Sequence, residues 1–116
     1  GTQRLARLVG PGVALWLLLR GEVLTAPAAL ELGLIHRVAP LPELETTLEG
    51  VLGGLRTSAP IALAYAKETA HRAGELSLDN GLRLEADLAA LLQTTQDRAT
   101  GLRSFLQRRP PRFEGR

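Results

Sequence analysis

Only one segment of the 116-residue chain, residues 34–39 (LIHRVA), alternates in the way typical of a β-strand. Pro40 and Pro42 follow it and end the pattern. A single strand cannot form a sheet, because its main-chain N–H and C=O groups need a neighbouring strand. The sequence therefore predicts a mainly α fold with one short strand. That strand either lies against a helix end or pairs with polypeptide outside this chain.

Glycine, proline and hydroxyl residues divide the rest of the chain into helical segments. Leucine and alanine, which favour helices, supply most apolar positions, and aromatic residues make up only 3% of the chain. Thr2, Thr25, Ser77 and Thr94 or Thr95 precede helical patterns and are predicted N-caps. The seven predicted helices cover residues 3–9, 13–20, 26–32, 42–55, 60–73, 78–93 and 96–108.

Two of these helices carry predictions about burial. The helix over 13–20 is apolar on all sides, so we expect it to be buried on all sides. The helix over 96–108 is amphipathic and is stopped by a pair of prolines at 110 and 111. Its predicted inward-facing residues are Ala99, Leu102, Phe105 and Leu106.

Positive charge is concentrated at the end of the chain. Residues 98–116 contain six arginines and a single acid, whereas residues 1–97 carry more acids than bases. Arginine suits phosphate because its planar fork donates two parallel hydrogen bonds. The alternative is a solvated basic helix end that complements the helix dipole, and spacing alone favours this alternative. The basic and aromatic residues concerned are Phe105, Arg108, Arg109, Arg112 and Phe113.

Other kinds of site have little support in the sequence. The absence of cysteine excludes disulfides and thiolate metal sites. His36 and His71 are far apart. His71 and Glu75 are spaced like a pair of metal ligands, but a solvated helix end is the favoured interpretation, so no metal site is predicted. The longest apolar run, residues 13–19, is shorter than the ~20 residues that span a bilayer. Nucleic-acid binding would rest on one basic, aromatic-poor end and is a weak alternative.

Several short motifs follow one another in a familiar order. They include residues 1–5 (GTQRL), residues 18–38, Ser58-Ala59-Pro60 followed by Lys67, and residues 95–113 with their TQDR, SF and RRP groups. This order resembles that of the crotonase family, the enoyl-CoA hydratases and isomerases. The resemblance extends over the whole chain.

The resemblance implies that the chain is the C-terminal half of the α/β crotonase fold, a ClpP-like spiral with a helical trimerisation region. Residues 1–57 would be the end of the core, and residues 58–116 the trimerisation region with its basic tail. Family members are much longer, and their catalytic acids and oxyanion-binding N–H groups lie in the N-terminal half. No catalytic residue is therefore assigned in this chain, since all are expected upstream of Gly1. The strand over 34–39 would pack onto that missing half.

The resemblance also implies a function, that of an enzyme acting on acyl-CoA thioesters, with hydration of 2-enoyl-CoA in fatty-acid or related metabolism as the expected reaction. Isomerase, dehydrohalogenase and thioesterase reactions stay open, because that choice depends on residues of the N-terminal half. The partners would be an acyl-CoA substrate and further copies of the chain, as a trimer or a dimer of trimers. No metal, no covalently bound cofactor and no membrane are expected, and the bacterial cytoplasm is favoured over the mitochondrial matrix. A non-catalytic helical oligomerisation module is the alternative.

Two residues match positions where the family's C-terminal helix reaches the CoA of a neighbouring subunit. They are Phe105 and Arg108, the latter replacing a lysine that is usual in the family. Thr100 is a departure, because an acid is usual before Gly101.

Overall fold

A computed structural model describes residues 1–116 as seven α-helices and one short 3-10 helix, without β-strands. The mainly helical prediction is confirmed, and each predicted helix is present with small differences at its ends. The α-helices are α1 (Thr2–Val9), α2 (Pro11–Arg20), α3 (Ala26–Glu31), α4 (Leu44–Arg56), α5 (Pro60–Arg72), α6 (Leu78–Gln93) and α7 (Gln96–Leu106), and the 3-10 helix is Leu41–Glu43.

Local capping interactions set several of these boundaries. The hydroxyl oxygens of Thr25, Ser77 and Thr95 accept hydrogen bonds from N–H groups three residues further along, at 3.2–3.4 Å. These three predicted caps are confirmed, and each satisfies an N–H group that the helix itself leaves unpaired. Thr2 is not a cap. It is the first residue of α1, and Gly1 occupies the N-cap position without a side-chain hydrogen bond.

The strand predicted over 34–39 is not formed, and that prediction is wrong for this chain. The N–H groups of Leu34 and Ile35 instead donate to the carbonyl of Ala29 in α3, at 2.9 and 3.4 Å. The N–H groups of residues 36–39 make no main-chain hydrogen bond. A strand exists only when a neighbour accepts and donates these bonds, and nothing in the chain does so.

The chain divides into two compact units, and the first is Gly1–Thr47. In it, α1 packs on α2, with Gly10 between them in the left-handed region (φ 80°). The prediction that α2 is buried on all sides is wrong, because only Ala14 is buried (1% exposed). Trp16 and Leu19 are 57% and 81% exposed, since no further layer of the first unit covers this helix.

The second unit is Leu48–Arg116, in which α5 packs on α6 and α6 packs on α7. The division falls inside α4, and the boundary predicted after residue 57 stays a prediction. The prediction for the inward face of α7 is wrong. Leu102, Phe105 and Leu106 are 48%, 80% and 73% exposed. The covered face instead carries Asp97 and Gly101, because the end of the chain folds back onto it. No helix in the chain has the length and hydropathy needed to cross a bilayer.

Candidate functional site

The candidate site is built from α7 and the segment that follows it, residues 107–116, here called the tail. The tail turns at the end of α7 and runs back along the helix towards its first turn. Phe113 lies against Gly101, whose hypothetical Cβ would be 3.4 Å from the phenyl ring. Gly115 lies against Pro60 at the start of α5. The tail is therefore folded onto the second unit and is not a free, solvated extension.

Asp97, in the first turn of α7, holds the end of the tail. Its Oδ1 accepts a hydrogen bond from the N–H of Glu114, and its Oδ2 accepts one from the N–H of Gly115, both at 2.8 Å. The N–H of Asp97 donates to the main-chain oxygen of Arg116 at 3.1 Å. The side chain is 4% exposed and is the only buried charged side chain in the chain. A buried carboxylate is tolerated when its oxygens accept hydrogen bonds in this way.

A Schellman motif begins the turn at the other end of the tail. The N–H of Arg109 donates to the carbonyl of Ser104 at 3.0 Å, and the N–H of Arg108 donates to the carbonyl of Phe105 at 3.1 Å. Arg108 has a φ of 52° and is the only non-glycine residue with a positive φ. Glycine usually occupies this left-handed position, because a Cβ atom there costs ~1–2 kcal/mol. The geometry of the turn thus places a strained arginine directly after the helix.

The turn exposes arginines that have no acidic partner. Five ion pairs are present in the chain, and none includes Arg108, Arg109 or Arg112. Pro110 and Pro111 separate two of these arginines from the third and stiffen the segment. Unpaired guanidinium groups on a stiff turn are suited to an anionic ligand such as a phosphate.

An apolar groove adjoins this basic turn. Its volume is about 390 Å³, and Phe105 and Phe113 both contribute to its wall. Phe105 is 80% exposed, so its ring is available to a flat apolar or aromatic group. The remaining lining residues come from α5, the end of α6, and α7: Ala59, Ile61, Ala62, Leu92, Thr95, Asp97, Arg98, Gly101 and Leu102.

The two residues predicted to contact CoA both belong to the Schellman motif. The carbonyl of Phe105 accepts the N–H of Arg108, so the two residues share one turn of the main chain. The structure also joins Phe113 to the groove. By contrast, Glu75, which is spaced from His71 like a second metal ligand, forms an ion pair with Arg72 at 3.7 Å.

Asp97 is the residue that sequence reasoning missed. An acid in the first turn of a helix is usually explained by the positive end of the helix dipole, and Asp97 has no local feature that distinguishes it. The sequence does contain Asp97, Gly101 and a phenylalanine that follows two prolines in the tail. This combination indicates a contact only once the tail is known to run back along α7.

Comparison with known proteins supports one family. The family model described as enoyl-CoA hydratase/isomerase matches residues 1–116. The 2,3-dehydroadipyl-CoA hydratase of Escherichia coli (strain K12) is 40% identical over 119 aligned positions, and the match covers 100% of this chain and 46% of that protein. A crotonyl-CoA hydratase of Syntrophomonas wolfei is 34% identical, with 97% of this chain and 44% of the relative covered.

Solved structures agree with the sequence comparison. The crystal structure of an enoyl-CoA hydratase from Bacillus anthracis superposes with a TM-score of 0.95 at 34% identity. The match covers 99% of this chain and 45% of that one. The chain thus spans less than half the length of the relatives it matches.

Proposed function

The chain belongs to the enoyl-CoA hydratase/isomerase family, and from that premise we propose that it is the C-terminal part of an enzyme that hydrates 2-enoyl-CoA thioesters. The support is the continuous similarity of all of residues 1–116 to hydratases that are about twice as long. The catalytic groups would lie in polypeptide on the N-terminal side of Gly1. Main-chain N–H donors there would stabilise the enolate-like thioester, and carboxylates would move the protons.

Two features of the first unit fit a covering N-terminal half. The N–H groups of residues 36–39 have no main-chain partner, as expected of a strand whose sheet lies elsewhere. The apolar face of α2 is open at Trp16 and Leu19, and such a face is normally covered by another layer. If this unit completes a larger α/β core, the N–H groups gain a neighbouring strand and the apolar face of α2 is covered.

The single observation that carries the site assignment is the turn at the end of α7. There, Arg108 is exposed and unpaired, one turn of chain from the exposed ring of Phe105. We assign the guanidinium group of Arg108 to a phosphate of CoA and the ring of Phe105 to its adenine. Charge-assisted hydrogen bonds suit the first contact, and stacking suits the second. The CoA would belong to a neighbouring subunit.

The oligomer proposed is a trimer or a dimer of trimers. The outer face of α7 is apolar and open at Leu102, Phe105 and Leu106, and such a face on a helical surface favours protein contacts. We place the enzyme in the bacterial cytoplasm, without a metal ion or a covalently bound cofactor.

Enzymatic assays of the polypeptide encoded by the complete reading frame test the proposed function. That polypeptide should hydrate crotonyl-CoA, whereas purified residues 1–116 alone should show no turnover. Measurable hydration by the 116-residue chain, verified by mass spectrometry, would contradict the assignment of catalysis to the missing half.

Substitution of Arg108 tests the CoA contact. In the complete polypeptide, Arg108→Ala should raise the KM for crotonyl-CoA by about tenfold or more, because a charge-assisted hydrogen bond is lost. Arg83→Ala is the matched control. Arg83 is exposed on α6 and paired only with Asp79. An unchanged KM in Arg108→Ala would refute the contact.

A non-catalytic oligomerisation module is the second candidate. It is favoured by the second unit, which closes on itself through the bonds of Asp97 and still leaves an apolar face of α7 open. This candidate predicts a complete polypeptide that forms trimers in light-scattering measurements but hydrates no enoyl-CoA. Hydratase activity of the complete polypeptide would exclude it.

A further inference from the structure

We propose that Asp97 is a positioning residue for the CoA contact, because its carboxylate fixes the tail and thereby the arginine-bearing turn over residues 107–112. This inference rests on the proposed function, since it takes the contact at Arg108 as its starting point. It adds a residue that touches neither the substrate nor the reacting atoms.

Two successive main-chain N–H groups, of Glu114 and Gly115, converge on the carboxylate of Asp97 with one hydrogen bond to each oxygen, and this pair of donors is here called the nest. Successive N–H groups of this kind form concave sites for anions. Gly115 has a φ of 75°, a conformation that glycine adopts without strain, so the nest depends on glycine at this position.

Asp97 takes no part in the ion pairs of the chain, although the tail is rich in arginine. Both of its oxygens are occupied by N–H groups, and the side chain is shielded from solvent. The carboxylate therefore anchors the tail without neutralising Arg108, Arg109 or Arg112. An anchor made by an ion pair with one of these arginines would have removed a cation from the ligand site.

The turn that carries the arginines is closed at both ends. The Schellman motif at Ser104 and Phe105 fixes its start, and Asp97 fixes its end. Pro110 and Pro111 limit the conformations in between. Each residue that is ordered only on binding loses backbone conformational entropy, which weakens the binding. A turn that is already ordered avoids this cost, so it binds an anion more tightly than a loose tail with the same charges.

The test compares two substrates in the complete polypeptide. Crotonyl-CoA carries the phosphates and the adenine, whereas the crotonyl thioester of N-acetylcysteamine carries neither. Asp97→Asn should lower kcat/KM for crotonyl-CoA by about tenfold, through KM, because hydrogen bonds to the charged carboxylate are lost. The kcat/KM for the short thioester should stay within about twofold of wild type, because this substrate has no phosphate or adenine for the turn to contact.

The matched control is Asp79→Asn. Asp79 occupies the same position in the first turn of α6 as Asp97 does in α7, but its side chain is 74% exposed and binds no distant main chain. This variant should keep the wild-type ratio of the two kcat/KM values. A general effect of removing an acid from the start of a helix would change both variants alike.

Gly115→Ala tests the same anchor from the other side. It keeps Asp97 but strains the nest, because alanine rarely adopts a φ of 75°. Like Asp97→Asn, it should lower kcat/KM for crotonyl-CoA relative to kcat/KM for the short thioester. If Asp97→Asn does not fold, the result for Gly115→Ala decides the question.

The outcomes separate the two proposals. If wild type and Arg108→Ala show the same ratio of kcat/KM for crotonyl-CoA to kcat/KM for the short thioester, the proposed CoA contact is refuted. If Arg108→Ala loses the preference for crotonyl-CoA while folded Asp97→Asn and Gly115→Ala keep it, only the positioning role of Asp97 is overturned. An equal loss on both substrates in Asp97→Asn also overturns it, because the residue would then support the fold in general.

Discussion

The two units of the chain differ in how their polar and apolar groups are satisfied. In Gly1–Thr47, the N–H groups of 36–39 lack main-chain partners, and the apolar face of α2 is open at Trp16. In Leu48–Arg116, the buried Asp97 binds main-chain groups 17 and 18 residues away. The first unit thus has unsatisfied groups suited to a covering layer, whereas the second unit closes on itself.

This difference indicates that the first unit depends more than the second on polypeptide outside the chain for its stability. Helices in proteins owe most of their stability to the packing of an apolar face. A unit whose main helix is open to solvent gains little from such packing, and a unit with long-range ties gains more. The predictions below test this contrast, beginning with the largest expected effect.

Separating the chain at the division between the two units, after Thr47, should expose the contrast directly. Residues 48–116 should keep their helical circular dichroism and unfold cooperatively, whereas residues 1–47 should be largely unfolded. Trp16, the only tryptophan, reports on the first piece through its fluorescence. A cooperative unfolding transition in residues 1–47 alone would show that the first unit does not need a covering layer.

Removing the charge of Asp97 should destabilise the second unit. Asp97→Asn in the full chain should lower the free energy of unfolding by about 1–3 kcal/mol, because a buried group loses its hydrogen-bond partner. Asp79→Asn, at an exposed site, should change it by less than ~0.5 kcal/mol. Urea denaturation followed by circular dichroism measures both. Equal effects would mean that the long-range tie contributes nothing to the stability of the second unit.

The two phenylalanines should differ in their effect on the chain alone. Phe113, which packs on Gly101, is half-buried, so Phe113→Ala should cost about 1–2 kcal/mol of unfolding free energy, less than a fully buried ring. Phe105 is 80% exposed, and Phe105→Ala should cost less than ~0.5 kcal/mol. Thermal unfolding of the two variants gives the comparison. The reverse order would place Phe105, and not Phe113, in the core of the unit.

Relief of strain at Arg108 should produce the smallest effect, with the opposite sign. Arg108→Gly removes ~1–2 kcal/mol of left-handed strain but increases the freedom of the unfolded chain by ~0.4–1 kcal/mol. The net result should be a gain of about 0.5–1 kcal/mol, since the first term is the larger. Arg109→Gly is the control, because Arg109 has no positive φ, and it should bring no gain. A loss of stability in Arg108→Gly would contradict the strained assignment.

Much of the local structure could be predicted from the sequence. Thr25, Ser77 and Thr95 marked helix starts because their hydroxyl groups cap N–H groups only three residues away. The strand over 34–39 could not be predicted correctly from its alternation, since a strand needs a distant partner. Likewise, the apolar patterns identified the helices but did not predict which helix faces, such as those of α2 and α7, are buried within the chain.

The candidate site divides in the same way. Resemblance to the crotonase family directed attention to Phe105 and Arg108, and their CoA contact stays a prediction. The unusual backbone of Arg108 gave no signal in the sequence, because arginine is not a residue that favours a positive φ. Asp97 was missed because its partners lie beyond a turn of unpredictable direction.

The sequence by itself determined the seven helices and the basic end of the chain. Helical hydrogen bonds join residues four apart, so local residues suffice to specify them. The tertiary structure alone decided that the tail returns along α7, which side of that helix it covers, and which arginines remain free. Those outcomes depend on Asp97 meeting Glu114 and Gly115 across the turn, a contact between residues that no local pattern relates.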